Sequence, residues 1–363
     1  MDKQRAQAVR AGDGEGFSIG EAYGLVKHLM QPDARIYWAD FLASAVIGWS
    51  AFALALFSPV ASPWFWAGAI VATFAFYRAA IFIHELSHFR RGFWPGFRIT
   101  WNLLIGIPLL VPSFTYDGVH PEHHQPDMYG TRKDGEYVAF ACHRPLLIIG
   151  YVLFSLLIPA FFLIRFLLLA PLSWLIPPLR PLVWRHASSL SIDLNYERAD
   201  DAIWSDVNWR WQEVAAFLWA AFVVGGIWLG FIPLKALLLW YGVAVAVYTL
   251  NALRTLAAHA YRYGGEEPMS RMEQFLDSVD VPGNPLITPL WAPVGLRFHA
   301  THHLFPSLPY HNLPKAWRIL SAHFGDAYLA ASRRNLPHAL LRLWQDARAG
   351  NCRRREMRLN ASA

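Results

Sequence analysis

The chain has 363 residues, of which 55% are hydrophobic and only 16% charged, with a mean hydropathy of +0.24. That balance is too apolar for an ordinary soluble domain and points to an integral membrane protein. The net charge of +6 sits beside apolar runs and in a tail containing Arg353, Arg354, Arg355 and Arg358, a distribution that suits the positive-inside rule and anionic headgroups better than nucleic acid.

In chain order, residues 1–40 carry scattered charge with no signal-peptide core and are expected to lie in the cytoplasm. Phe41 to Phe57 and Pro63 to Ile83 are each close to the roughly 20 apolar residues that a helix needs to cross a bilayer. Ser58 to Ser62 can only be a turn between them, so 41–83 reads as a first transmembrane hairpin. The turn is uncharged whereas Arg90, Arg91 and Arg98 follow the second run, which puts both ends of the hairpin in the cytoplasm. Trp101 to Phe114 is too short to cross and is expected to lie in the interface or dip inward. The run from Pro145 to Pro178 is long but is split by Arg165 and four prolines, and reads as an in-plane pair or an extra hairpin. Val214 to Ile232 and Leu234 to Leu250 form a second clean hairpin, within a 214–258 segment.

The resulting expectation is an all-α membrane protein with four spans, six being the alternative. The polar segments Gly118 to Arg144, Arg185 to Arg210 and Tyr261 to Ala363 would build a helical cytoplasmic cap, the whole forming one domain. Seventeen Trp and fourteen Tyr fit aromatic belts at the headgroup level. Cys142 and Cys352 are far apart in sequence, which argues against a disulfide framework or a thiolate metal cluster and for a reducing compartment.

Nine of the fifteen histidines gather in four groups, each adjoining an apolar run: His84 and His88; His120, His123 and His124; His259; and His299, His302 and His303. The i, i+4 spacing of His84 and His88 puts both rings on one helical face. The H-x-x-H-H spacing does the same for three rings, and it occurs twice. Neutral imidazole binds divalent metals, so the pattern suggests a polyhistidine metal site at a membrane surface. Glu85, Glu122 and Asp127 are candidates to orient ligand rings. His28, His143, His186, His311, His323 and His338 fall outside the pattern. Tyr129, Lys133 and Arg144 carry no signal that separates them from interface residues.

The segments His84-Glu85-Leu86-Ser87-His88, His120-Pro121-Glu122-His123-His124 and His299-Ala300-Thr301-His302-His303 resemble, in order and spacing, the three histidine boxes of the membrane fatty acid desaturase and hydroxylase superfamily, over about Phe41 to Leu320. The resemblance implies two non-haem iron ions held by the nine histidines, with His259 matching the ligand at the end of the last span. It also implies dioxygen as co-substrate, an acyl lipid or acyl thioester as substrate, and electrons from a ferredoxin-like or other carrier. The location implied is multi-pass, in a bacterial inner membrane with the active side cytoplasmic. Where acyl-coenzyme A desaturases have an asparagine holding a metal-bound water, this chain has Thr255, with Asn251 one turn before it. The stretch Leu304 to Leu313 resembles acyl-chain desaturases and favours desaturation. Hydroxylation of an acyl lipid, alkane or carotenoid is the alternative. A distant third reading takes His84 to His88 as the H-E-x-x-H of an intramembrane zinc protease.

Overall fold

A computed structural model describes residues 17–89, 93–199 and 208–352. Arg90, Arg91 and the basic tail beyond Cys352 lie outside the described residues. Among the described residues the protein is helical, with isolated β-bridges and no strand. The elements used below are α1 (Ala34–Phe57), α2 (Pro63–His88), α3 (Val119–His123), α4 (Leu146–Phe154), α5 (Ile158–Leu175), α6 (Trp209–Trp228), α7 (Leu234–Leu256) and α8 (His299–Leu304).

The first hairpin is longer at both ends than its apolar runs. Asp33 caps α1 by accepting from the Arg35 backbone N–H at 2.8 Å, and Ser62 caps α2 with Pro63 in its first turn. Inside the hairpin Arg78 Nε donates to Asp40 at 2.6 Å, which lets a charged residue sit on each helix. The two helices cross closely: a side chain at Gly68 would meet the Ala51 carbonyl at 2.7 Å, the small-residue contact typical of membrane helix pairs. Between Leu54 and Pro63 the chain turns with Val60 and Trp64 exposed. Trp64 and Trp66 on α2 and Trp228 on α6 are exposed at the ends remote from the histidines, as an aromatic belt requires.

Among the described residues five helices are long and apolar enough to cross a membrane: α1, α2, α5, α6 and α7. Contacts along α4 and α5 show that this pair enters and returns. Tyr151 of α4 packs on Phe140 in the cap. The turn after α4 lies against the remote half of α7, where the Leu156 carbonyl accepts from Tyr241 at 2.6 Å. α5 then climbs back past Tyr248 (Phe162 ring centroid at 6.4 Å) to Glu213, near the cap end of α6, which accepts from Arg165 at 2.6 Å. α5 contains a π-turn at Arg165–Leu169, and the buried Arg165 also donates to the Ala187 carbonyl and Ser188. The Pro145 to Pro178 run thus folds as a re-entrant helix pair packed against α6 and α7, although α5 by itself is long and apolar enough to cross.

The Trp101 to Phe114 stretch dips inward as well. A helix over Pro95–Trp101 runs into a π-turn at Asn102–Gly106, and the Pro108 carbonyl accepts from Trp219 at 3.3 Å and Trp240 at 3.1 Å, deep on α6 and α7. Such irregular backbone is tolerated at depth only where protein satisfies it. Asn102 accepts from the Ser113 N–H at 2.8 Å, and Gln212 accepts from the Phe114 N–H at 3.0 Å.

One expectation fails. Cys142 and Cys352, 210 residues apart in sequence, are joined in a disulfide, because the helix over Leu336–Ala349 packs its Leu343 and Ala347 against Phe140 and Ala141. Distance along the chain did not measure distance in space, and the argument from cysteine spacing to a reducing compartment loses its support. The N-terminal segment also does more than the scattered charge suggested. Ser18 caps a helix over Ile19–Val26, and Phe17 packs on Phe275 and Phe324 of the cap.

Arg165 and Glu213 are both almost fully buried. Glu213→Ala should therefore lower stability by roughly 3 to 5 kcal/mol, because it strands a buried guanidinium, whereas the double change Arg165→Met with Glu213→Leu should recover most of it. Thermal unfolding in detergent reads the difference.

Candidate metal centre

α2 is long enough to carry His84 and His88 out of the apolar slab and under the cap, one turn apart. α3 begins at Val119 after Gly118, a glycine with φ of 88°. It presents His120 and His123 three residues apart, with His124 at its end. His259 follows the end of α7 by three residues, where the Ala260 N–H donates to the Asp277 carbonyl at 2.6 Å and the Val279 N–H to the Ala258 carbonyl at 2.7 Å. α8 is anchored by the buried Asp280, which accepts from the Thr301 N–H at 3.1 Å and the Thr301 hydroxyl at 2.7 Å.

These four segments bring all nine histidines together. His84, His88, His120 and His302 form one group, and His123, His259, His299 and His303 a second. Within each, one nitrogen from every ring lies within 4.8 Å of the others. His124 stands between them, its Nε2 3.0 Å from Nε2 of both His120 and His302, its ring 4.4 Å from that of His303. Each H-x-x-H-H triplet is shared between the two groups rather than serving one: His302 of α8 faces the first, and His299 and His303 face the second.

The rings are fixed from behind. Glu136 pairs with His120 Nδ1. Asp134 accepts from His123 Nδ1 at 2.8 Å. Tyr129 meets His259 Nδ1 at 2.8 Å and donates to Asp277 at 3.1 Å, and the Ser278 hydroxyl lies 3.2 Å from the same ring nitrogen. Glu85 lies 3.3 Å from His84 Nδ1. With Nδ1 tied to an acceptor, the Nε2 of His120 and His123 is a lone pair aimed inward.

Burial first, and then neighbouring imidazoles and cations, hold His120, His124, His259, His299, His302 and His303 well below the ordinary histidine pKa. These rings are neutral at physiological pH. His123 is the exception: burial pushes it down, but Asp134 outweighs burial and leaves it raised.

Neutral Nε2 atoms stand 3.1 Å apart between His88 and His302, 2.9 Å between His88 and His120, 2.9 Å between His259 and His299, and 3.1 Å between His299 and His303. The separation of neighbouring ligands set at right angles around an ion with bonds of about 2.1 Å is close to 3 Å. His84 Nε2 is buried with no hydrogen-bond partner. An all-imidazole, buried, preorganised donor set of this kind fits first-row transition metals such as iron.

The family model of fatty acid desaturases matches residues 61–335, which takes in all three boxes and His259. The chain belongs to the fatty acid desaturase family. A curated relative, the ceramide hydroxylase of Caulobacter vibrioides (strain NA1000 / CB15N), is 41% identical over 337 residues, covering 92% of this chain and 95% of the relative.

Family membership runs against the zinc-protease reading, and so does the geometry. Glu85, which would have to activate water there, instead accepts from Tyr37 and from the Tyr310 N–H at 3.3 Å. Of the three carboxylates singled out beside the histidines, Glu85 backs one of them, His84. Glu122 accepts from Tyr196 at 2.9 Å, and Asp127 is exposed. The supporting residues missed from sequence, Asp134, Glu136, Asp277 and Ser278, lie eleven or more positions after the rings they serve, so no local spacing marked them. Tyr129 was noticed without its role. None of His28, His143, His186, His311, His323 and His338 joins either group; His323 pairs with Glu21 at 2.7 Å.

Asp134→Ala should weaken iron binding by about 10- to 100-fold, the usual cost of removing a carboxylate behind a ligand imidazole. Asp127→Ala should leave it unchanged. Iron titration of the purified protein separates the two.

Proposed function

We propose that the protein is a dioxygen-dependent hydroxylase that inserts one oxygen atom into a C–H bond of a ceramide-type acyl lipid. Its nine histidines, His84, His88, His120, His123, His124, His259, His299, His302 and His303, would hold two iron ions. The observation that carries this reading is the near full-length match to a protein named a ceramide hydroxylase. Family membership alone leaves desaturation and hydroxylation on the same ligand set, and the segment after the third box favoured desaturation. The relative's activity tips the choice to the alternative.

The cavity beside the first histidine group supports a lipid substrate. It reaches His84 and Glu136 at the cap, and runs between α2, α7 and the re-entrant α4–α5 pair past Phe76, Val243, Val247 and Tyr248. Val243 lies roughly 20 Å along α7 from its cap end, so a chain entering there is sheathed in apolar side chains. Two iron ions, when bound, would supply activation of dioxygen with two electrons and two protons, giving R–OH and water from R–H. The neutral rings would add no negative charge to that centre. The carboxylates behind His120 and His123 keep their tautomers fixed, and the buried cap keeps bulk water out.

The electrons would come from a separate carrier, ferredoxin-like or otherwise, docking at the cap. We place that cap on the cytoplasmic side, and read the whole chain as one domain. The domain boundaries follow the two spanning hairpins, the re-entrant pair and the cap.

Expression in a ceramide-containing host lacking ceramide hydroxylation should yield ceramides heavier by one oxygen, and His302→Ala should abolish them. Products lighter by two hydrogens would return the assignment to desaturation. No change in any lipid, with two irons bound per chain, would sink the substrate assignment.

A further inference from the structure

Arg254 is a charged residue in the last full turn of a spanning helix, a costly placement that is retained where the group is paired or used. It lines the cavity that reaches His84. Its Nη2 donates to Asn251 Oδ1 at 2.9 Å, while its Nε–H is buried with no hydrogen-bond partner. Tyr77, Tyr151, Thr255 and Asn251 line the same end of the cavity, so most of its polar groups are gathered next to the metal groups, and the deeper wall is mainly apolar, with Ser155 and Tyr248 its polar members. Among the described residues no carboxylate is salt-bridged to the guanidinium; Glu136, on the same cavity wall, acts on it only at longer range. Arg254 therefore offers a directed donor to an incoming acceptor oxygen, and a buried donor left unsatisfied is penalised enough to make that oxygen's arrival favourable.

We propose that Arg254, positioned by Asn251, is a specificity-determining residue that binds the carbonyl or hydroxyl oxygen at the head of the substrate's chain. A lipid anchored there has its first few carbons beside His84 and the rest of its chain directed down the apolar bore. Oxidation consequently falls near the polar linkage and not at mid-chain. This rests on the reading above that the cavity takes an acyl lipid, and it adds which group is gripped and which end reacts. The shared chemistry is an acceptor oxygen adjoining a long chain, available from an amide-linked lipid or from an ester-linked one.

The test uses the iron-loaded full-length protein in nanodiscs, with Arg254→Met, Arg254→Lys and Asn251→Ala beside wild type. Binding is read as thermal stabilisation by a ceramide, by a diacylglycerol of the same chain length and by an alkane of that length. Wild type should be stabilised by one or both oxygen-bearing lipids and not by the alkane, and whichever it favours names the source of the oxygen. Arg254→Met should weaken that lipid by roughly tenfold or more, and Arg254→Lys should recover part of it, with iron content unchanged in each. Where product forms, its hydroxyl should lie within the first few carbons of the linkage. Equal stabilisation of wild type and Arg254→Met, or a mid-chain hydroxyl, overturns the proposal. The binding measurement needs no turnover, so a wild type that binds but does not oxidise would fail the proposed reaction while leaving the anchor standing. Should Arg254→Met not fold, the comparison of wild type with Arg254→Lys and Asn251→Ala carries the same decision.

Discussion

Neutral imidazole lone pairs held about 3 Å apart repel unless a cation lies between them, and most of the protein's architecture serves to hold nine rings in that relation. Burial keeps the rings other than His123 uncharged, buried carboxylates fix which nitrogen of His120 and His123 faces inward, and three sequence-distant helices with two post-helical residues, His124 and His259, supply the donors. Asp280 gripping Thr301 fixes the helix that joins the two groups. Glu85 ties α2 to Tyr37 of α1 and to the backbone at Tyr310. The spanning helices and the cap therefore cannot shift independently without disturbing the rings.

Much of this was legible from the residues. The two hairpins follow from run length, and the four histidine groups follow from clustering beside those runs. His259 was placed by resemblance, and in the structure it joins His123, His299 and His303. What could not be read was anything carried by tertiary approach. Asp134 and Glu136 sit in a polar loop with no periodicity, and they matter only because that loop folds back over α3. The Cys142–Cys352 bond was discounted because sequence separation was taken for spatial separation. The first hairpin's start fell short because Asp33, Arg35 and Asp40 look like loop residues until the helix cap and the Asp40–Arg78 pair are seen.

The segments that sequence left ambiguous pack beside α2 and α7 around the apolar cavity. A proline-broken run with an arginine in it makes a poor span but a serviceable re-entrant pair, since Arg165 meets Glu213 and its neighbours carry the apolar wall. The Pro108 stretch uses tryptophan N–H groups from two spans to satisfy a carbonyl at depth. Together they open a space between helices that four straight spans would have closed. The cavity wall is thus shared between the regular helices α2 and α7 and the irregular segments packed against them.

His299 and His302 serve different groups although only two residues separate them on α8. A helix is a fixed ruler: three residues advance about 4.5 Å along the axis, and each residue turns the side chain by about 100°. The gap between the two would-be ions is accordingly inherited from backbone hydrogen bonding and not from side-chain adjustment. The letter at Ala300 is open to exchange for another small residue, but a one-residue insertion or deletion beside it would swing a ring out of its group and alter the spacing of both ions at once.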